Sequence, residues 1–230
     1  KYVDETLYDH QKQLFTLCKK PNSKLVLYIA PTGTGKTLSP LGLSEGNKII
    51  FVCAARHVGL ALAKAAISSG KRIAFGFGCS DTDDIRLHYS SAKEYTRNKK
   101  TGNIEKVDNS VGDRVEIMIC DIKSYIPAMN YMVAFNKKEE IICYWDEPTI
   151  TMDYDNHEFH DLIQENWSKN IIPNVVLSSA TLPQINELSE TISDFRSRFD
   201  NVSIHEIVSY DCKKSIPLIN REGYIEMPHY

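Results

Sequence analysis

Hydrophobic residues in this chain come in short, unbroken runs separated by longer amphipathic stretches. Leu25–Ile29, Lys48–Cys53, Arg72–Phe75, Arg114–Cys120, Glu140–Trp145 and Asn174–Ser178 are such runs. Short runs that are apolar on both sides of the pleat predict strands of a parallel sheet covered on both faces. Between them, Asp9–Lys19, Val58–Ser68, the segment from Cys120 to about Phe135 and Gln184–Phe199 read as helices, and Val202–Val208 as a late strand. Alternation of this kind predicts an α/β, three-layer domain with a mostly parallel central sheet. One stretch breaks the pattern. Gly76–Asp113 is polar, charged and weakly periodic. A structureless loop of that length is improbable in a compact domain, so residues 76–113 are expected to form a polar insertion, with a hairpin turning at Thr101-Gly102-Asn103. Its basic residues Lys93, Arg97, Lys99, Lys100 and Lys106 could grip a nucleic-acid backbone. Interspersed Glu94, Glu105 and Asp108 favour an ordinary solvated surface.

Composition changes this picture little. The 230 residues, 42% hydrophobic and 25% charged, suffice for one large core. No apolar stretch approaches a bilayer span, and Lys1-Tyr2-Val3-Asp4-Glu5 is no signal peptide, so an intracellular location, cytoplasmic or nuclear, is expected. The missing initiator Met carries the expectation of a start further upstream. A net charge of −3 offers no electrostatic argument for nucleic acid, while leaving room for a local basic surface. The six cysteines are scattered, with Cys53, Cys120 and Cys143 in strand-like runs. They read as free buried thiols of a reducing compartment, not as a disulfide framework or a CxxC zinc site.

The chemistry concentrates in three places. Directly after the first strand comes Ala30-Pro31-Thr32-Gly33-Thr34-Gly35-Lys36-Thr37. A strand feeding a glycine-rich turn that ends in Gly-Lys-Thr is a phosphate-binding P-loop. Its backbone N–H groups, from Thr32 through Thr37, would converge on phosphate oxygens, helped by the positive end of the next helix. Lys36 would reach the β- and γ-phosphates, and the Thr37 hydroxyl would ligate Mg²⁺. Pro40 lies within two turns of that helix start and predicts a short or kinked helix. The second place is Asp146-Glu147-Pro148-Thr149, at the end of the fifth strand. Acidic residues beside a buried strand are costly unless they meet a cation or a proton-transfer task. Asp146 is the natural Mg²⁺-side partner of Thr37, and Glu147 the candidate base for an attacking water. The third is Ser178-Ser179-Ala180-Thr181 after the sixth strand, where small hydroxyl residues can hydrogen-bond neighbouring carboxylates.

In this order and spacing, the three motifs resemble those of the first RecA-like domain of superfamily 2 helicases, the DEAD/DExH-box class. Ala30 stands where the general P-loop has Gly, as in the AxTGxGKT form of that family. Asp146–Thr149 looks like its DExx motif, and Ser179-Ala180-Thr181 like its SAT motif. The resemblance implies a P-loop NTPase fold, ATP and Mg²⁺ as cofactors, and RNA or DNA as partner. It also implies coupling roles for Ser179 and Thr181. Tyr8-Asp9-His10-Gln11 is similar to the upstream Q-type motif, in which Gln11 would read the adenine edge; an exposed polar helix position is the alternative. Cys53-Ala54-Ala55-Arg56 occupies the place of motif Ia without its usual Pro-Thr pair. Arg56 is then either a nucleic-acid phosphate contact or part of a structural ion pair. Cys120-Asp121-Ile122-Lys123 matches a further strand-contacting motif poorly, and acidic Asp121 disfavours backbone contact.

The resemblance covers nearly all the chain but half of such a machine. A second RecA-like domain normally supplies an arginine finger, and Arg196, Arg198 and Arg221 are isolated here. Residues 1–210 are therefore expected to be the helicase ATP-binding domain, and 211–230 a connection toward a second domain. Motion on or unwinding of nucleic acid is the leading expectation. Translocation on duplex DNA without strand separation, and a slow ATP-binding switch, are the alternatives. His157-Glu158-Phe159-His160 lacks the spacing of a zinc motif and reads as an amphipathic helix. Asp153-Tyr154-Asp155 lacks a calcium loop's remaining ligands. The sequons at Asn166 and Asn201 have no secretory context.

Overall fold

The computed structural model describes residues 7–151, 154–211 and 218–227. Its elements in chain order are α1 (Asp9–Cys18), β1 (Lys24–Ile29), α2 (Ser39–Leu43), β2 (Lys48–Cys53), α3 (Arg56–Ser68), β3 (Ile73–Gly76), β4 (Arg86–Leu87), β5 (Tyr95–Arg97), β6 (Ile104–Val107), β7 (Ile117–Asp121), α4 (Tyr125–Phe135), β8 (Ile141–Asp146), α5 (Glu158–Lys169), β9 (Asn174–Ser179), α6 (Ser189–Arg198), β10 (Ser203–Val208), β11 (Leu218–Ile219) and β12 (Ile225–Met227). Eight strands form one sheet in the order β10-β1-β9-β8-β2-β7-β3-β4. Every neighbouring pair in it is parallel except β3 with β4.

Successive residues of a strand face opposite sides, and the apolar runs supply both. Leu25, Leu27, Ile50, Val52, Cys143 and Trp145 join one core, which Tyr125, Met129, Ile192 and Phe195 from α4 and α6 complete. Val26, Tyr28, Ile49, Phe51, Ile142 and Tyr144 join the other, with Leu14, Leu43, Leu62 and Ala66 from α1, α2 and α3. The result is the expected three-layer α/β domain. Each fully buried large apolar side chain contributes about 1.5–3 kcal/mol against chain entropy, so these doubly covered strands carry much of the fold. Among the described residues, no helix is long and apolar enough to cross a membrane.

Several boundaries differ from the sequence expectation. The strand expected from Arg114 begins at Ile117. Glu116 turns its carboxylate onto the Arg72 N–H at 2.9 Å and toward Lys71, and Val115 N–H closes a turn on Gly112. The helix expected from Gln184 starts at Ser189, because Glu187 accepts from Gln184 N–H in a separate turn. The helix after β2 starts two residues earlier than expected, at Arg56, and the third strand is shifted by one residue to Ile73–Gly76. The helix after the P-loop is short and broken: one 3₁₀ turn over Lys36–Leu38 precedes the five residues of α2, which carries Pro40 in its first turn. Asn166 is buried and donates to the Ile122 carbonyl, which excludes a sugar there. Five cysteines are free and buried, and Cys212 lies outside the described residues, as does Asp153.

The insertion contains β4 and the β5–β6 hairpin, which turns where expected, with Gly102 N–H closing on the Asn98 carbonyl at 2.8 Å. Because β4 runs antiparallel to β3, and His88 N–H bonds the Ile73 carbonyl, the chain has returned to the starting end of β3 before the hairpin begins. The basic hairpin thus leaves from the end of the sheet opposite the P-loop. Lys93 pairs with Asp113 in the open, as a solvated surface would. Residues 218–227 form a small two-stranded sheet of their own.

Candidate nucleotide site

Sheet order explains why distant motifs meet. β1, β9 and β8 are adjacent, so the P-loop, the Ser179–Thr181 segment and the Asp146–Thr149 segment leave the same end of the sheet side by side. Register makes this quantitative: Ile29 lies opposite Ser179, and Asp146 opposite Ser178. Crevices beyond the carboxyl ends of parallel strands are where such folds place ligands.

Gly33 and Gly35 have φ of 82° and 81°, left-handed values that cost a side-chain-bearing residue energy. They curl the loop, while the buried Thr34 hydroxyl pins it to the Pro31 carbonyl at 2.7 Å. Thr32 and Gly33 form an exposed crest. Tyr144, from the middle of the second core, donates its hydroxyl to the Lys36 carbonyl at 2.7 Å and lies 3.0 Å from Ser178 Oγ. The loop's amides, rather than the dipole of so short a helix, supply most of the positive potential.

Lys36 is buried, with its ammonium donating to the Ala30 carbonyl. Burial lowers its pKa, while Glu147 and Asp146 pull it back up. Asp146 is 5% exposed, and its Oδ1 has no hydrogen-bond partner among the described residues. Burial, reinforced by neighbouring Glu147, pushes its carboxyl up to about 6 against the opposing pull of Lys36 and a hydrogen bond from Thr37. An unpartnered carboxylate oxygen this deep costs free energy unless a cation or a proton meets it. Thr37 and Asp146 are brought together, within hydrogen-bonding reach of each other.

Glu147 has φ of 52°, strained for a residue with a side chain. Its N–H bonds the Ser178 carbonyl at 2.7 Å, and its carboxylate accepts from the Ser179 hydroxyl. Ser179 Oγ also lies 3.3 Å from Thr149 Oγ1 and 3.4 Å from Thr181 Oγ1, and accepts from Thr181 N–H at 3.1 Å. Ser179 is the hub between the acidic loop and the segment leading onward. Thr149's part in it was missed from sequence, as was the support from Tyr144. A tyrosine in the middle of a strand apolar on both faces was the available signal, because a buried hydroxyl needs a partner.

Gln11 is 9% exposed, not on the exposed helix face offered as one alternative. Its Oε1 accepts from Tyr8 N–H at 3.1 Å, and its amide nitrogen lies so close to Gly35 that a β-carbon there would approach it to 2.8 Å. It sits against the P-loop. Arg56, exposed in the first turn of α3, makes no ion pair among the described residues and stacks over Phe77 at 5.1 Å. The structural ion-pair reading is therefore replaced by a cation–π contact. Asp121 is occupied locally, accepting from Ser124 N–H and Gly78 N–H, both at 2.8 Å.

No protein-family model matches the chain, and no curated protein matches it by sequence. Solved structures do. A DEAD box protein from the hyperthermophile Methanococcus jannaschii superposes with a TM-score of 0.52 at 18% identity, covering 86% of this chain and 49% of that one. A hypothetical ATP-dependent RNA helicase from Sulfolobus tokodaii gives 0.51 at 16% identity, covering 88% and 53%. This chain therefore spans about half the length of either structure. The likeness establishes the fold alone, the three-layer α/β arrangement with a mostly parallel sheet that this chain shares with part of each of those structures.

Proposed function

We propose that this chain is the ATP-binding half of an ATP-dependent nucleic-acid motor of the helicase type. One observation carries the reading: buried Asp146, with an oxygen that has no partner among the described residues, stands beside Lys36, Thr37 and Glu147 at the mouth of a P-loop. Such an arrangement fits Mg²⁺ with a nucleoside triphosphate, since it supplies hard oxygen ligands and phosphate-facing N–H groups. Thr37 and Asp146 would hold the ion, which when bound neutralises phosphate charge. The amides of Thr32, Gly33, Thr34 and Gly35 would cradle phosphate oxygens, and Lys36 would exchange the Ala30 carbonyl for them. Gln11, held against Gly35, would meet the adenine.

Glu147 would take a proton from the attacking water onto its carboxylate. Its bond from Ser179 keeps that carboxylate aimed, and Thr149 and Thr181 extend the same network. Arg56, exposed at the same end of the sheet, would contact the backbone of RNA or DNA. Arg198 is held by Asp194 and the Trp167 carbonyl, so it is not free to act as an arginine finger. A second RecA-like domain of the full-length protein would supply that charge and close over ATP. In this reading residues 1–210 are the ATP-binding domain and 211–230 lead toward the second one.

Titration with a fluorescent ADP analogue tests the reading. Affinity should fall at least tenfold when Mg²⁺ is chelated, since charge-assisted contacts of about 1.5–3 kcal/mol are lost. Hydrolysis by these 230 residues should be negligible, because an absent arginine finger removes a factor of about 10³–10⁵. Absence of any Mg²⁺-dependent ADP binding would overturn it.

A further inference from the structure

Exposed aromatic and cationic side chains meet on the β5–β6 hairpin, at the end of the sheet opposite the P-loop. Tyr89 and Tyr95 are 36% and 42% exposed, and their rings meet edge to face with centroids 5.4 Å apart. Exposed Arg97 lays its guanidinium over both, 5.8 Å from the Tyr89 centroid and 5.4 Å from that of Tyr95. Residues 93–106 hold five cations against two carboxylates, in a chain whose net charge is −3. Lys93 is spent on Asp113, whereas Arg97, Lys99 and Lys100 make no ion pair among the described residues. Asn98 Oδ1 accepts from the N–H groups of Lys100 and Thr101 at 2.8 and 3.1 Å, which fixes the turn that carries both lysines.

Strand pairing sorts the acids away from this cluster. Tyr95 lies opposite Val107 and Thr96 opposite Lys106. By alternation Tyr95 and Arg97 share one face, while Glu94, Thr96, Lys106 and Asp108 belong to the other. Glu105 is occupied by Asn98 Nδ2 at 2.8 Å. One face thus offers flat rings and unpaired positive charge together.

We propose that this face is a second contact for single-stranded nucleic acid, with bases stacked on Tyr89, Tyr95 and Arg97 and phosphates against Lys99 and Lys100. Every base presents a flat face, so stacking on tyrosine or guanidinium tolerates any sequence. An acidic protein segment would use the cations and leave the rings idle, and a duplex keeps its base faces inside its own stack. RNA and DNA single strands share the chemistry required. The partner class rests on the reading above, but the place is separate: Arg56 follows the finishing end of β2, and the hairpin leaves from the starting end of β3. The hairpin would be a grip outside the nucleotide site.

Fluorescence anisotropy of labelled single strands of about 12 nucleotides, oligouridine and oligodeoxyuridine, tests this with the 230-residue chain and no nucleotide. Saturable binding of either is expected, and the tighter one names the strand. Tyr89→Ala with Tyr95→Ala should weaken it about fivefold or more, and Tyr89→Phe with Tyr95→Phe should not, because stacking needs only the ring. Lys99→Gln with Lys100→Gln should flatten the slope of log affinity against log salt by about 1.4. That pair changes only exposed side chains, so it decides the matter if the alanine pair fails to fold. Parental affinity in the alanine pair, an unchanged salt slope in the lysine pair, or no saturable binding of either strand would overturn the proposal. So would polyglutamate of equal charge binding as tightly. Loss in Arg56→Ala with parental binding in both hairpin variants would also overturn it, while leaving the reading above standing. ADP titration reports separately on the nucleotide site.

Discussion

Two buried lysines stand at opposite ends of the first strand and its loop, and they are held in opposite ways. Lys24, 3% exposed, opens β1 and donates to the carbonyls of Lys20 and Asn22 at 2.8 and 2.6 Å and to Asn174 Oδ1 at 2.9 Å. All three protons of its ammonium are used. Lys36, 6% exposed, has the Ala30 carbonyl and two nearby carboxylates, one of them with an oxygen unpartnered among the described residues. Burial lowers both lysines below the usual range. The difference lies in satisfaction. At the starting end of the sheet, charge is neutralised by the protein's own dipoles and closes the structure. At the finishing end, charge, strain at Glu147 and left-handed glycines remain available to something else. A buried polar group that is fully paired reads as architecture; one that is not reads as a site.

Substitutions can break this contrast, and the largest effect is expected at Glu147. In the full-length protein, Glu147→Gln should keep Mg·ATP binding and lower kcat by about 10²–10⁴, because the amide preserves shape but cannot accept the proton. Parental turnover in a steady-state phosphate-release assay would remove Glu147 from its role.

The two lysines should then show crossed phenotypes. Lys24→Ala should lower unfolding free energy by about 2–4 kcal/mol, since it strands buried acceptors, and leave ADP affinity alone. Lys36→Ala should weaken ADP by about 10–100-fold, through loss of a charge-assisted contact, with little change in denaturant midpoint. If both variants lose stability equally and neither loses affinity, the two ends do not differ as argued.

The smallest effect sharpens the comparison through pH. Folding raises the Asp146 carboxyl from 3.8 to about 6. The folded state thus holds its proton more tightly than the unfolded one, and stability declines as pH rises through that window. Two pH units correspond to at most about 3 kcal/mol, and relaxation and solvation around the buried charge leave an expected effect of about 1–2 kcal/mol. Without divalent cations, Asp146→Asn should therefore be more stable than the parent by that amount at pH 7.5 in urea titrations. The advantage should shrink as pH falls and vanish below about pH 3, where the parent carboxyl is protonated in both states. A gap that persists at low pH would show that the effect is packing, not charge.

Much of this was legible in the residues. The apolar runs predict the strands because a central parallel strand must be apolar on both faces, and that constraint is local. Gly33, Gly35, Lys36 and Thr37 announce the loop, since its backbone and its chemistry lie within one short segment. Pro40 sets a first helical turn, that of α2, through the residue's own geometry. Other features depend on neighbours far along the chain. Whether Gln11 is an exposed helix residue or lies against Gly35 follows from how α1 packs on the sheet, which no local pattern records. The partner of Arg56 is Phe77, and the hub at Ser179 requires β9 beside β8. The basic hairpin's place at the far end of the sheet comes from one antiparallel reversal at β4. Sequence alone determined the strands, the P-loop and the identity of the acidic pair, because hydrophobic periodicity and backbone stereochemistry act within a few residues. Tertiary structure alone decided which buried polar groups are satisfied, because hydrogen-bond partners and dielectric surroundings are supplied by chain segments a hundred or more residues away, as Tyr144 is to Lys36.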